Sequence, residues 1–510
     1  MKFKKFLSLR NIFILLEFIL LVFFLFLRYK LGLVRYFDAD EFAHLHWGYS
    51  FFIGEKPFAD FFYLFPPFFL YPVASLFLLF GRTITAVLAA RVFIFLTFAA
   101  TSFVLILIGR KVRNLHVGIL SALIFSFLPL PSDKMIEVRP DLVATFFALL
   151  ALFLFMIAGE RGKKIYFFLS GLLFAVSLGF SPKMIFFLFP VFVVSVYRIF
   201  PGFKNGPGRE NLEKQVMPFS TGFAIPLMVI VLLIFSFGNH QRALYSMTKM
   251  AKDVTASLGA QFYMRPDIFF YPNETYYGIN GYSLPYIVNL LIYITASLWA
   301  IFRILASLSY SDNRKCLREF LIGATFFANL YAFVNVYPLK HAQYLIPLAP
   351  FIAFYFADFL TSVFVREYKR LRLFTYLAPV FFIILLVAMT GVGRDVYARK
   401  MRWTNTQSLD KLTRYLSILP SRTPIFDLTG ESIFFPNGYY FCCLPYGQYE
   451  GAILFRIPDL DKELEKRGAE YIHINWNERL NVLPALQQKY IREHFVASEL
   501  DPGLLVRKEK

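Results

Sequence analysis

The 510-residue chain is 57% hydrophobic and only 17% charged, with 65 phenylalanines, a composition that excludes a soluble cytoplasmic enzyme. Lys and Arg outnumber Asp and Glu by 53 to 34, a net charge of +19; in so apolar a chain, basic residues collect in cytoplasmic loops, so the charge does not point to nucleic acid. Three cysteines, Cys316, Cys442 and Cys443, are too few for a disulfide framework, and the adjacent pair is not expected to close on itself without strain.

A bilayer core of about 30 Å calls for roughly 17–25 apolar residues per helix. In chain order, such segments fall at 11–27, 61–80, 84–109, 115–131, 142–158, 165–181, 184–200, 218–237, 284–302, 319–337, 342–364 and 373–391. The first is read as a span and not a cleavable signal peptide, being too long and lacking a small-residue cleavage site. With Lys2, Lys4, Lys5 and Arg10 in the cytoplasm, the basic clusters 110–113, 161–164, 204–214, 303–318 and 366–372 share that side only if 61–80 does not cross. Pro66, Pro67 and Pro72 interrupt any straight helix there. The expectation is therefore a polytopic α-helical membrane protein of about 11 transmembrane helices, with 61–80 re-entrant or interfacial.

This topology places residues 1–391 in the membrane domain, with two long external loops at 28–83 and 238–283. The tail, 392–510, has ordinary soluble composition and reads as a small extracytoplasmic α/β domain. Leu409, Leu412, Leu416 and Leu419 have helical spacing; 424–428 and 470–474 read as strands around a charged helix near 459–467; and 496–500 with 504–507 read as a hairpin about Pro502-Gly503. In the second loop, Tyr271, Tyr276, Tyr277 and Tyr282 suit an interfacial aromatic belt, and Asn273-Glu274-Thr275 matches a glycosylation pattern that is common by chance.

Chemistry concentrates just after the first span. Asp38, Asp40, Glu41, His44 and His46 lie within nine residues, followed by Lys56. Such a group can simply cap a helix, but partial burial among aromatics would move its carboxylates toward proton-transfer use. A divalent metal on Asp40, Glu41, His44 and His46 is left open, and no other cofactor is indicated. Further external turns supply Glu137, Arg139 and Asp141, then Lys183, then Lys340, His341 and Tyr344. Each cation could snorkel as an interfacial anchor. Together they ring one membrane face with acids and bases, which suits a lipid-linked phosphate held by cations and an acceptor deprotonated by a carboxylate.

Asp40-Glu41, Pro66-Pro67, Arg91, Arg139-Pro140-Asp141, Lys183 near Gly179, and Lys340 before Tyr344-Leu345-Ile346-Pro347 recur in an order that resembles the GT-C glycosyltransferases of the protein O-mannosyltransferase and lipid A aminoarabinose transferase type. The resemblance covers about residues 1–390 and implies a sugar taken from a polyprenyl-phosphate donor at the non-cytoplasmic face of a plasma (inner) membrane. The acceptor would be a lipid, a glycan or a protein. It implies Asp40 as catalytic base with Glu41 as its partner, and Asp141 as a second acid. Arg139, Lys183, Lys340, His341 and Lys56 would hold the donor phosphate, while His44 and Tyr344 contact acceptor or sugar. Phe65 departs from the family's Lys or His at that position.

A transporter or flippase would also have many spans, but its internal repeats are not detected, and the charges gather at the outer edge with Glu17 as the exception. A third reading gives the work to the tail on a membrane anchor.

Overall fold

Residues apolar on every side must satisfy their backbone internally in lipid, and the chain does so almost entirely as helix. The computed structural model describes residues 9–132, 134–199, 212–250, 253, 283–310, 312–337, 341–365, 372–443, 453, 455–474 and 477–508. The helices of the apolar region are α1 (Leu9–Val34), α2 (Ala39–Phe52), α3 (Leu70–Phe80), α4 (Ile84–Val112), α5 (Leu115–Phe127), α6 (Pro140–Arg161), α7 (Lys164–Phe180) and α8 (Ile185–Ile199), then α9 (Met217–Ser236), α10 (His240–Thr248), α11 (Ser283–Ser307), α12 (Asn313–Tyr331), α13 (Ala349–Leu360) and α14 (Arg372–Lys400). Seven stretches, 11–34, 84–112, 140–161, 212–236, 284–307, 313–336 and 377–400, are long and apolar enough to cross a membrane, and five shorter apolar helices lie at 67–80, 115–127, 164–180, 182–197 and 349–365. On α1, Leu15, Phe18, Ile19, Val22 and Phe26 face outward while Phe13, Leu21, Phe24 and Leu31 are buried, the pattern of a helix between lipid and bundle.

In lipid, helices associate through close packing. Helices α7 and α9 approach so closely that a Cβ on Gly171 would stand 2.0 Å from the Phe219 carbonyl oxygen, and one on Gly222 would stand 2.0 Å from that of Phe168. Gly222→Leu is expected to force the pair apart and destabilise the bundle by about 1–3 kcal/mol. Thermal unfolding of the detergent-solubilised protein, followed by tryptophan fluorescence, measures the shift.

Most charged groups described inside the spans are paired. Glu17 accepts from, or donates to, His116 Nε2 at 2.7 Å, both buried. One end of the bundle gathers Arg113 with Glu319 and Asp358, Arg303 on Asp358 at 2.6 and 2.7 Å, and Lys111 and Arg318 with Glu160. The residues carrying the candidate chemistry lie at the other. Helix α4 runs from one to the other: Arg91 to Arg113 is 22 residues, or about 33 Å at 1.5 Å per residue, close to a bilayer's apolar thickness.

After α14 come α15 (Thr406–Ile418), β1 (Ile425–Phe426), α16 (Leu460–Lys466), β2 (Tyr471–His473), α17 (Asn477–Asn481), α18 (Ala485–His494), β3 (Phe495–Ala497) and β4 (Leu504–Arg507). They form a four-stranded sheet of order β1-β2-β4-β3, parallel at β1/β2 and antiparallel elsewhere. His473 is buried between Tyr415 (3.1 Å) and Glu431 (3.0 Å), a structural place.

Phe434 of this segment packs on Tyr49 of α2, and Asn437 bonds α2 and the turn after it. Asn437 meets His46 Nε2 at 2.7 Å through Oδ1, and donates through Nδ2 to Ser50 Oγ at 2.7 Å and Glu55 Oε2 at 2.6 Å. Contrary to the expectation from adjacency, Cys442 and Cys443 are joined as a disulfide. The backbone at Cys443 turns left-handed (φ +71°), a geometry that adjacency in the sequence does not disclose.

Candidate active site

Two helix starts converge on the site. Asp38 caps α2, its side chain accepting the Asp40 N–H at 3.1 Å, so Asp40 and Glu41 occupy the first turn. Arg139 precedes α6, whose first residue is Pro140 and whose first turn holds Asp141. Both N-termini add positive potential to the space between them. The α2 helix itself is missing from the sequence expectations, although Asp38 followed three residues later by Glu41 is a helix-start signature.

Asp40 binds Arg139 at 2.8 Å; Arg139 also contacts Glu137 at 3.3 Å and Asp141 at 3.7 Å. Lys183 reaches Asp141 at 2.6 Å and lies 4.1 Å from the Tyr344 ring centre. Lys134 joins Asp38 and Glu137, each at 2.9 Å, and Arg35 joins Glu137 at 3.1 Å. Asp40, Asp141, Arg139, Lys183 and Tyr344 thus form one continuous chain. Lys134, Arg35 and Glu137 extend it, and the last two sit too far apart in sequence for local reading to join them.

Asp40 is the open member: its side chain is 52% exposed, while those of Glu137 and Asp141 are 0% and 1% exposed. Burial would push the Asp40 carboxyl up, but Arg139 and Lys134 outweigh that and hold it well below the usual carboxylate range. The ion pair's stabilising contribution is therefore complete above about pH 4 and is lost as the pH falls below that value. Four cations (Arg35, Lys134, Arg139, Lys183) face four carboxylates (Asp38, Asp40, Glu137, Asp141), so the described cluster is close to neutral.

Several expected roles do not match this geometry. Glu41 does not join Asp40; it is fully buried and held by Arg91, with both oxygens at 2.7 Å from the guanidinium, and it also accepts the Val138 N–H. Arg91 further donates to the carbonyls of Gly32, Arg35 and Tyr36. Adjacent residues of a helix point about 100° apart, so one of the pair faces the cleft and the other the bundle. Lys56 is exposed beyond the far end of α2, roughly 18 Å along the helix from Asp40. His341 packs on Tyr344, but burial and then neighbouring Arg139 push it down to about 4, so it brings hydrogen bonds and not a charge.

His44 is buried against Trp47, Phe65 and Phe69, with ring centres 5.1–5.4 Å away. Burial, and then Arg139, push it down to about 3. Phe65 thus spends its ring on His44 in place of a phosphate contact. Lys340 and the Tyr271–Tyr282 group lie outside the described residues. Asp40, Glu41 and His44 do not gather as a metal set; among the described residues the one group with ligand spacing is His46, Cys442 and Cys443. A cavity of about 420 Å³ lined by Arg113, His116, Arg303 and Asp358 opens at the opposite end of the bundle and takes no part here.

A family model described as dolichyl-phosphate-mannose-protein mannosyltransferase matches residues 65–236, a third of the chain that includes Arg139, Asp141 and Lys183 but not Asp40. A search of curated proteins found no match. Among solved structures, the chain is similar to ArnT from Cupriavidus metallidurans bound to undecaprenyl phosphate, with 13% identity and a TM-score of 0.58 over 96% of this chain and 97% of that one. It is also similar to the oligosaccharyltransferase AglB from Archaeoglobus fulgidus in complex with an inhibitory peptide and a dolichol-phosphate, with 13% identity and a TM-score of 0.55 over 97% and 74%. A complex of the Archaeoglobus enzyme with Zn and sulfate gives 14% identity and a TM-score of 0.55 over 93% and 71%.

Proposed function

Starting from a chain that carries the fold of the GT-C glycosyltransferases, we propose that it is a membrane glycosyltransferase that moves a sugar from a polyprenyl-phosphate donor to a lipid, glycan or protein acceptor. The observation that carries this reading is the half-exposed Asp40 carboxylate joined through Arg139 to Asp141 and Lys183 at one end of the bundle. An anionic leaving group and a proton acceptor have their complements within one charged network. The structures it resembles are described as holding undecaprenyl phosphate and dolichol-phosphate, which supports a lipid-linked donor.

The reaction is an in-line displacement at the anomeric carbon: the acceptor oxygen or nitrogen bonds to carbon, the carbon–oxygen bond to phosphate breaks with its electron pair, and configuration inverts. Asp40 receives the acceptor proton; Arg139 and Lys183, joined by Lys340, offset the charge left on phosphate. Asp40 is a weak base while Arg139 holds it. A bound phosphate draws on the same guanidinium and raises the basicity of Asp40, so base strength develops when the donor is in place. Tyr344, beside Lys183, lines the acceptor or sugar side, while His44 is enclosed by aromatic rings behind it.

Eleven helices span the bilayer, with 67–80 re-entrant or along the interface, since Pro66, Pro67 and Pro72 interrupt it and its crossing would split the basic clusters between the two sides. The basic residues 110–113, 161–164 and 303–318 then lie in the cytoplasm, and Asp40 faces the other side, as does the 392–510 segment. The test is transfer by purified full-length protein in nanodiscs, supplied with a panel of polyprenyl-phosphate sugars, with and without chelator. Transfer from at least one donor is expected; binding of donors with no transfer to any lipid, glycan or peptide acceptor would favour a flippase instead.

A further inference from the structure

The face of α2 turned away from Asp40 carries a second group that the transfer chemistry does not use. His46 is six residues on from Asp40, about 240° around the helix, and is 1% exposed. Asn437 fixes its tautomer. Because Asn437 Nδ2 donates to Ser50 and to the Glu55 carboxylate, its Oδ1 is the atom facing His46 Nε2 at 2.7 Å. A carbonyl oxygen only accepts, so Nε2 carries the proton and Nδ1 presents a bare lone pair. That lone pair is buried and has no partner among the described residues. A ring nitrogen of His46 and the sulfurs of Cys442 and Cys443 all lie within 4.8 Å of one another, all three residues being buried. A disulfide has no proton to offer, so it does not satisfy that lone pair.

We propose that His46, Cys442 and Cys443 form a site for a thiophilic divalent cation of the Zn²⁺ class, open when the cysteine pair is reduced and closed when it is a disulfide. An external dithiol reduces the pair: two electrons and two protons convert the S–S bond to two thiols, and the donor leaves as its own disulfide. The cation then replaces the two thiol protons, which pass to solvent, and takes the Nδ1 lone pair as third ligand. One dication with two thiolates and a neutral imidazole has no net charge, the condition under which an ion is tolerated in a buried site. Asn437 orients the imidazole from behind, as outer hydrogen-bond acceptors do for metal-bound histidines. The occupied site would tie the C-terminal segment to the helix that carries Asp40.

The test uses full-length protein carrying Cys316→Ser, which leaves these two as the sole thiols. After reduction and removal of reductant under anaerobic conditions, Co²⁺ is titrated as the spectroscopic probe. A sulfur-to-cobalt charge-transfer absorption saturating at one equivalent and bleached by Zn²⁺ is expected. It should vanish in Cys442→Ser and in Cys443→Ser, and Co²⁺ should bind about tenfold or more weakly in His46→Gln. No such band in the reduced protein, a band that survives Cys442→Ser, or an alkylation count of zero after reductant would overturn the site.

Discussion

Asp40→Asn is expected to lower sugar transfer by about 10²–10⁴-fold, the range that a positioned general base contributes. The amide keeps the size of the carboxylate and can still accept from Arg139, so expression, membrane insertion and melting temperature should change little. Donor affinity should hold or improve, because Arg139 is no longer neutralised by Asp40. The loss therefore falls on kcat and not on KM for the donor. The same electrostatics sets the pH response. Arg139 and Lys134 hold Asp40 ionised in the free protein down to below about pH 4, so an acid limb in kcat/KM between pH 5 and 7 cannot arise from it. Near-normal transfer by the Asn variant would remove Asp40 from the chemistry.

Glu41→Gln is expected to act on folding instead. It leaves Arg91 buried without its counter-charge, and breaking such a pair costs about 3–5 kcal/mol, enough to remove most folded protein from the membrane. Arg91→Met should be at least as damaging, because it also strips the donors from the carbonyls of Gly32, Arg35 and Tyr36. The double variant Glu41→Leu/Arg91→Met should recover part of the loss, since neither charge is then stranded, and the double-mutant cycle should show clear coupling. Yield of monodisperse protein and its melting temperature provide the readout. A Glu41→Gln protein that is fully folded but inactive would return Glu41 to the chemistry.

These two neighbours show what local sequence discloses. Twelve apolar segments and the clusters of charge between them are legible because lipid demands length and allows few charges. Asp40, Arg139, Asp141 and Lys183 meet in space because each stands at or just outside the apolar run of its segment. What fails is inference from adjacency. Asp40-Glu41 reads as a pair until a helix turns them apart, and Lys56 reads as near until the same helix carries it a bundle's breadth away. His341 reads as a cation until burial keeps it neutral. The partner of His46 depends on a contact across 391 residues, which no local pattern carries.

That distance has a consequence for how the chain is made. The ribosome finishes α2 long before it reaches Asn437, and at about 5–20 residues per second the interval is roughly 20–80 s. Throughout it His46, Ser50 and Glu55 lack the side chain that pairs with them, so a nascent chain halted before Asn437 leaves that face of α2 unpaired although Arg91 already holds Glu41 on the other.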